Sequence, residues 1–199
     1  MTDKNIAVQV KNALNFVRKL HFEISYLFKE IEGLLLEEEE RFIILKGGGY
    51  SVTARTSTSL DSWGAGYWMP NGFSVFFCEE EGFVENEKGV TVTKVNKDLK
   101  VLFIHIKVID HDLNEPKIYL GYIKNIGSKK NVDSKVENML WEFTYSGNKK
   151  IFELDKKIDY SDARWSFTGE YLQRDLMSIN SSNDVKSKIV GPLLKLYRR

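Results

Sequence analysis

The chain has 199 residues, and its 29 basic and 28 acidic side chains leave a formal net charge of +1. This balance gives no broad electrostatic field that would draw in nucleic acid or an anionic membrane. Hydrophobic residues make up 42% of the chain, which excludes global disorder. Cys78 is the single cysteine, so an intrachain disulfide is excluded and the reducing cytoplasm is the expected location.

An apolar stripe in the first thirty-odd residues predicts one long helix. Its members are spaced alternately four and three residues apart: Ile6, Val10, Ala13, Val17, Leu20, Ile24, Leu27, Ile31 and Leu34. Only a helix brings residues with this spacing onto one face. We predict this helix over residues 4–32, with Gly33 weakening its end, and a length of roughly 43 Å.

A helix of this length can hide its stripe in two ways. It can lie across a sheet as a core helix, or it can pair with the same helix of a second chain in a homodimer. Leu14, Phe28 and Leu35 make the stripe broader than a strict two-position coiled-coil seam, which favours the core helix. Both interpretations require the apolar side chains to be covered.

From residue 41 the hydrophobic period changes to that of strands. Strands are predicted over residues 41–46, 50–57, 73–78, 90–95, 99–109 and 117–126, with a turn at 47–49. Residues 73–78 are apolar on both faces, which is typical of a strand inside a sheet. Residues 99–109 and 117–126 should form a hairpin through the turn at 110–116.

The remaining chain mixes helix and strand signals. A helix is predicted over residues 133–143, short strands over 150–154 and 169–172, and a last helix from about residue 183, which Pro192 should kink or end. Because no crossover helices separate successive strands, the fold class is α+β, with a mainly antiparallel sheet of about five to seven strands. We expect one domain over residues 1–199: a helix at about 4–32, the sheet at about 41–126 and a mixed part at about 130–199.

The turn after residue 109 is the densest polar cluster in the sequence. Asp110, Asp112 and Asn114 have the alternate spacing with which oxygen ligands converge on a hard cation, so Mg²⁺ or Ca²⁺ is the cation that this turn would bind. An EF-hand is excluded, because Glu115 stands where that loop needs glycine. The alternative is a hairpin turn in which Asp and Asn side chains bond their own backbone.

The same turn raises the hypothesis of a metal-dependent phosphodiester hydrolase of the nuclease type. Its catalytic candidates are Asp110, Asp112, Glu115 and Lys117, since acids would hold the metal and a lysine would stabilise the charge on phosphate. Pro116 suits a turn better than the middle of a strand, which weakens the match.

An aromatic, glycine-rich stretch at residues 62–72 predicts a binding loop. The candidate ligand-binding or partner-binding residues are Trp63, Tyr67 and Trp68, with Arg55 as a polar contact. Aromatic side chains on such a loop give a large contact area at a small entropic cost. The alternative is that the loop folds back and covers one end of the core.

Three functions are therefore compatible with the sequence. The preferred hypothesis is a non-enzymatic interaction module, an accessory or regulatory protein, that forms a homodimer through the N-terminal helix and binds a protein or small ligand through the aromatic loop. The second is the metal-dependent hydrolase. The third is a nucleic-acid-binding protein that uses Trp63, Trp68 and the basic C-terminus; no membrane partner is expected.

Overall fold

A computed structural model describes residues 3–45, 50–53, 72–80, 99–108, 115–128, 139–140, 151–152 and 156–199. The first element is helix α1, Asp3–Leu36, which confirms the long helix predicted from the apolar stripe. The helix runs past the predicted end at residue 32. Gly33 is tolerated inside it because Leu35, two residues later, is fully buried and holds the last turn on the core.

Within the described residues, seven strands form one antiparallel sheet, which confirms the predicted α+β class. The strands are β1 (Phe42–Ile44), β2 (Tyr50–Thr53), β3 (Gly72–Glu79), β4 (Val101–Lys107), β5 (Lys117–Ser128), β6 (Lys157–Ser161) and β7 (Trp165–Asp175). Their order across the sheet is β1, β3, β4, β5, β7, β6, with β2 beside β1 on the same edge of β3. The predicted hairpin is confirmed, since β4 pairs with β5 from Val101 opposite Ile123 to Lys107 opposite Lys117.

The β1–β2 edge contains a local change of register. Leu45 donates a backbone hydrogen bond to Phe76, and Tyr50 pairs with the adjacent residue Val75. Leu45 and Tyr50 are therefore separated by four residues, although their partners on β3, Phe76 and Val75, are adjacent. The two short strands run in the same direction and do not pair with each other.

The sheet extends well beyond the predicted range of 41–126, because β6 and β7 belong to it. Strand β7 lies between β5 and β6 and buries alternate residues, among them Trp165, Phe167 and Tyr171. The predicted short strand at 169–172 is only the middle of β7. The predicted strand at 90–95 lies outside the described residues.

The central strands β3, β4 and β5 are buried on both faces of the sheet. On one face the even-numbered residues of β4, such as Leu102 and Ile104, pack under α1 and the C-terminal helix. On the other face Val101 and Phe103 pack with Met139, Leu140 and other residues from the chain between β5 and β7. The odd-numbered residues of β4 are therefore covered by a second layer of the fold.

The C-terminal helix α2 consists of three consecutive segments: Ser182–Asp184, the π-helical Val185–Val190 and Gly191–Tyr197. Ser181 caps its start by accepting a hydrogen bond from the Asp184 amide. The sequence predicts that Pro192 kinks or ends the helix; the kink stays a prediction, and Pro192 does not end the helix, because the helix continues to Tyr197. The preceding π-helical segment accounts for this, because proline lacks the N–H of a regular turn and wider turns relieve that loss.

Candidate functional site: the overhang and groove of helix α1

Helix α1 is divided into a buried and an exposed half. In its C-terminal half the side chains of Ile24, Phe28, Ile31 and Leu35 are buried in the core. We call residues 5–20 the overhang, because this half carries exposed apolar side chains. Ile6 is 47% exposed, Leu14 66% and Phe16 68%, and Val10 is exposed to a similar degree.

The overhang continues the buried stripe in the same direction. Eighteen residues make five full turns of an α-helix, so residues eighteen apart point the same way. Ile6 is therefore aligned with Ile24, and Val10 with Phe28. The face that α1 presents to the sheet in its second half is thus presented to solvent in its first half.

The overhang projects past one end of the sheet. The ring of His21 packs edge-on against Phe73 at 5.2 Å, and Phe73 is the second residue of β3. From Leu35 to His21 the helix covers about 21 Å. β3 covers about 20 Å from Glu79 to Phe73, so α1 at His21 and β3 at Phe73 reach the end of the sheet at the same level. Residues before His21 reach up to about 27 Å farther.

The sheet end below the overhang is a row of paired residues. Thr53 pairs with Gly72, Gly72 with Lys107, Lys107 with Lys117, and Lys117 with Asp175. We call this row the overhang end of the sheet. The chain segments 54–71 and 109–114 both attach to it, since each begins or ends at one of these strands.

Most residues singled out from the sequence belong to those two segments. Arg55, Trp63, Tyr67, Trp68, Asp110, Asp112 and Asn114 lie outside the described residues. The two segments nevertheless attach to the sheet side by side, because the register pairs Gly72 with Lys107. The aromatic loop and the acidic turn, which are about forty residues apart in the chain, therefore start from one end of the sheet.

Glu115 and Lys117 are the two described members of the predicted hydrolase site. Glu115 is exposed, and the Lys117 ammonium donates a hydrogen bond to the Asp175 carboxylate across the β5–β7 pair. This hydrogen bond, and the charges of Asp175 and Glu115, raise the pKa of Lys117. The described part of Lys117's surroundings is an ion pair on the sheet. The hydrolase site of Asp110, Asp112, Glu115 and Lys117 stays a prediction.

A groove lies beside the buried half of α1, close to the overhang end. Its volume is about 550 Å³. One wall is α1, from Leu20 to Glu30, and the other runs from Leu176, just after β7, to Val185 in α2. The apolar lining residues are Leu20, Ile24, Leu27, Leu176, Met177, Ile179 and Val185. Sequence periodicity could not find this groove, because its second wall is about 150 residues away in the chain.

The charges of α1 are separated along its length. Residues 3–20 carry four basic and one acidic side chain, whereas residues 21–40 carry seven acidic and one basic. Glu23 and Glu30 line the groove, and within the described residues neither makes an ion pair. The overhang is thus basic and the groove wall acidic.

A buried polar pair occupies the opposite face of the sheet. Ser74 Oγ lies 2.8 Å from His105 Nδ1, in a hydrogen bond whose direction follows the histidine tautomer. His105 Nε2 has no partner among the described residues, and the ring stacks on Phe152 at 5.5 Å. Burial, and secondarily the charge of Lys107, lower the pKa of His105 to about 3. A base this weak and fully buried is unsuited to proton transfer at neutral pH.

The basic C-terminus, proposed as a nucleic-acid contact, is partly engaged within the chain. The Arg198 guanidinium donates to Glu40 at 2.6 Å and to Glu38 at 2.9 Å. The Tyr197 hydroxyl donates to Glu79 at 2.8 Å, and Lys100 contacts the Tyr197 carbonyl from above the tyrosine ring. These contacts fix the end of α2 to the turn that follows α1, to the end of β3 and to the residue that precedes β4.

Among the described residues no three His, Cys, Asp or Glu side chains gather as a metal site, and none of the described helices is long and apolar enough to cross a bilayer. The chain matches no known family model, no curated protein and no solved structure. Its function is therefore inferred from the geometry of α1 and the surrounding charges.

Proposed function

We propose that this chain is a non-enzymatic interaction module that associates with a second copy of itself through the overhang of α1. The observation that carries the proposal is the exposed apolar stripe on residues 5–20. A helix of this kind is stabilised chiefly by burying its apolar face, and the chain's own sheet ends before it reaches this half. An accessory or regulatory protein acts in this way, by presenting a surface to a partner.

The size of the exposed surface supports the proposal. Ile6, Val10, Leu14 and Phe16 leave about half to two thirds of their surface in solvent. With Ala13 and Val17, the overhang exposes on the order of 500 Å² of apolar surface, since a large side chain carries roughly 150–200 Å². The largest apolar patch of a typical monomer is about 300–600 Å² and is often functional.

The test is the solution mass as a function of concentration, measured by sedimentation equilibrium. We expect the wild-type chain to approach twice its monomer mass and Ala13→Glu to remain a monomer. Ala13 is exposed, and glutamate is a good helix former, so this substitution leaves the fold intact. A wild-type chain that stays monomeric at high concentration contradicts the proposal.

Phe22→Glu is the matched control. Phe22 is nine residues from Ala13, which places it on the opposite side of α1, and it is 54% exposed. The control introduces the same charge without touching the stripe, so it should keep the wild-type mass. Equal loss of dimer in both variants would assign the effect to charge rather than to the stripe.

A second candidate function rests on the overhang end of the sheet. Because the segments with Trp63 and Asp110 attach to one row, a ligand site or a metal-dependent hydrolase site there would draw on both. If the hydrolase hypothesis holds, Mg²⁺ or Mn²⁺ should raise the melting temperature, and Asp112→Ala should abolish the rise. A nucleic-acid-binding function would instead show an affinity that falls steeply with salt.

A further inference from the structure

We infer that the overhang of one copy docks antiparallel into the acidic groove of a second copy, and that the second copy returns the same contact. The inference rests on the proposed self-association, and it names the surface that receives the overhang. Its starting point is that each chain presents both an exposed basic apolar helix and an acidic apolar groove.

A second chain cannot pair with α1 along the whole apolar stripe. Ile24 and Ile31 are central members of the stripe, and both are buried under the chain's own sheet. A parallel coiled coil over four heptads would need these side chains at its seam. The surfaces left for a partner are the overhang and the flank of α1 that lines the groove.

Charge selects the antiparallel orientation. In a parallel pair, the two basic overhangs would lie side by side, and so would the two acidic halves. In an antiparallel offset pair, Lys11 and Arg18 of one copy approach the groove wall that carries Glu23 and Glu30 of the other. Packed helix axes are about 8–10 Å apart, which is comparable to the screening length of about 8 Å at physiological salt, so this difference in charge still affects the energy of the pair.

The groove has the length and the apolar lining to receive a helix. Its wall from Leu20 to Glu30 is about 15 Å long, which is close to three helical turns. Leu20 belongs both to the apolar stripe and to the groove, so the two surfaces are continuous. A helix that leaves one copy at His21 can therefore enter the groove of the other without crossing a polar strip.

The buried area also favours reciprocal docking. The overhang alone offers on the order of 500 Å² of apolar surface, whereas a stable interface buries about 800 Å² on each partner. Each copy in a two-fold arrangement contributes its overhang and its groove, so both surfaces add to the area that each partner buries. Such a contact is closed, because the same two patches on each copy are satisfied by one partner.

Distances between spin labels test the orientation in the intact chain. Lys11→Cys and Glu30→Cys are labelled separately; the native Cys78 is buried and stays unlabelled. In an antiparallel pair, mixing the two samples should produce a short inter-chain distance of roughly 10–20 Å. Lys11→Cys alone should give a separation of roughly 30 Å along the helix axis. A short distance with Lys11→Cys alone overturns the antiparallel arrangement, and proposed self-association survives that result.

Charge reversal tests the groove. Glu23→Lys with Glu30→Lys should raise the dimer dissociation constant by about ten-fold or more at low ionic strength, and the effect should shrink with added salt. Glu37→Lys with Glu39→Lys is the matched control, because it changes the net charge equally outside the groove. Equal effects of the two pairs, or no effect of the first, refute the groove. A wild-type monomer refutes the proposed function itself.

Discussion

The buried histidine makes the stability of the fold depend on pH in a predictable way. His105 is fully buried, and its pKa is lowered to about 3, whereas an unfolded chain has a histidine pKa of about 6.5. Below pH 6.5 the unfolded chain therefore binds a proton that the folded chain does not. The contribution of His105 to the free energy of unfolding is therefore fully present above pH 6.5 and is lost as the pH falls toward 3.

The expected magnitude follows from the two pKa values. Each pH unit between them costs about 1.4 kcal/mol, so lowering the pH from 7 to 5 should remove about 2 kcal/mol through His105. Other groups titrate in this range as well, so the quantity to measure is the difference between wild type and His105→Phe. The phenyl ring replaces the imidazole in the stack against Phe152 and cannot bind a proton.

The assay is urea denaturation at pH 7 and pH 5 at one fixed protein concentration, since association shifts apparent stability. Wild type should lose about 2 kcal/mol more than His105→Phe. His105→Leu serves as a second variant in case the larger ring strains the core. Equal losses in wild type and His105→Phe would refute the reasoning.

Three further outcomes are expected. Gly33→Ala should raise the free energy of unfolding by about 0.5–1 kcal/mol in thermal denaturation, because its new Cβ would meet no atom within 4 Å inside a helix; a decrease would contradict this. Gly121→Ala should lower the free energy of unfolding by about 3 kcal/mol or more, because its Cβ would lie 2.1 Å from a backbone carbonyl of β7. Gly127→Ala on the same strand is the control. Its Cβ would meet only a serine hydroxyl at 3.1 Å, so the loss of stability should be far smaller. Burial raises the pKa of the Cys78 thiol to about 12, so a thiol reagent at pH 8 should label the chain only in denaturant; prompt labelling of the native protein would contradict the packing of β3.

The long helix and the β4–β5 hairpin were predictable because their signals are local. The spacing from Ile6 to Leu34 is compatible only with a helix, and the sequence between residues 99 and 126 shows two apolar runs separated by a predicted turn at 110–116. Strand β7 was mostly missed, although Trp165, Phe167 and Tyr171 alternate along it. Gly169 interrupts the apolar alternation, and a single sequence cannot show that β5 and β6 pair on either side.

The division of the stripe and the position of the groove could not be predicted. Ile6 and Ile24 are equivalent in sequence pattern, and only the length of the neighbouring strands determines which is covered. The pairing of Ser74 with His105 depends on the β3–β4 register, which periodicity does not define. The candidate residues in the aromatic loop and the acidic turn stay predictions.

The edge of the sheet formed by β1 and β2 has a consequence for engineering. Leu45 and Tyr50 bond to adjacent residues of β3, so the pairing on either side does not depend on how many residues connect them. In a continuous strand, one added residue turns each later side chain to the wrong face of the sheet. The number of residues between Leu45 and Tyr50 is not limited in this way. An epitope tag inserted between Leu45 and Tyr50 would thus leave strand alignment unchanged, at the opposite edge of the sheet from β6.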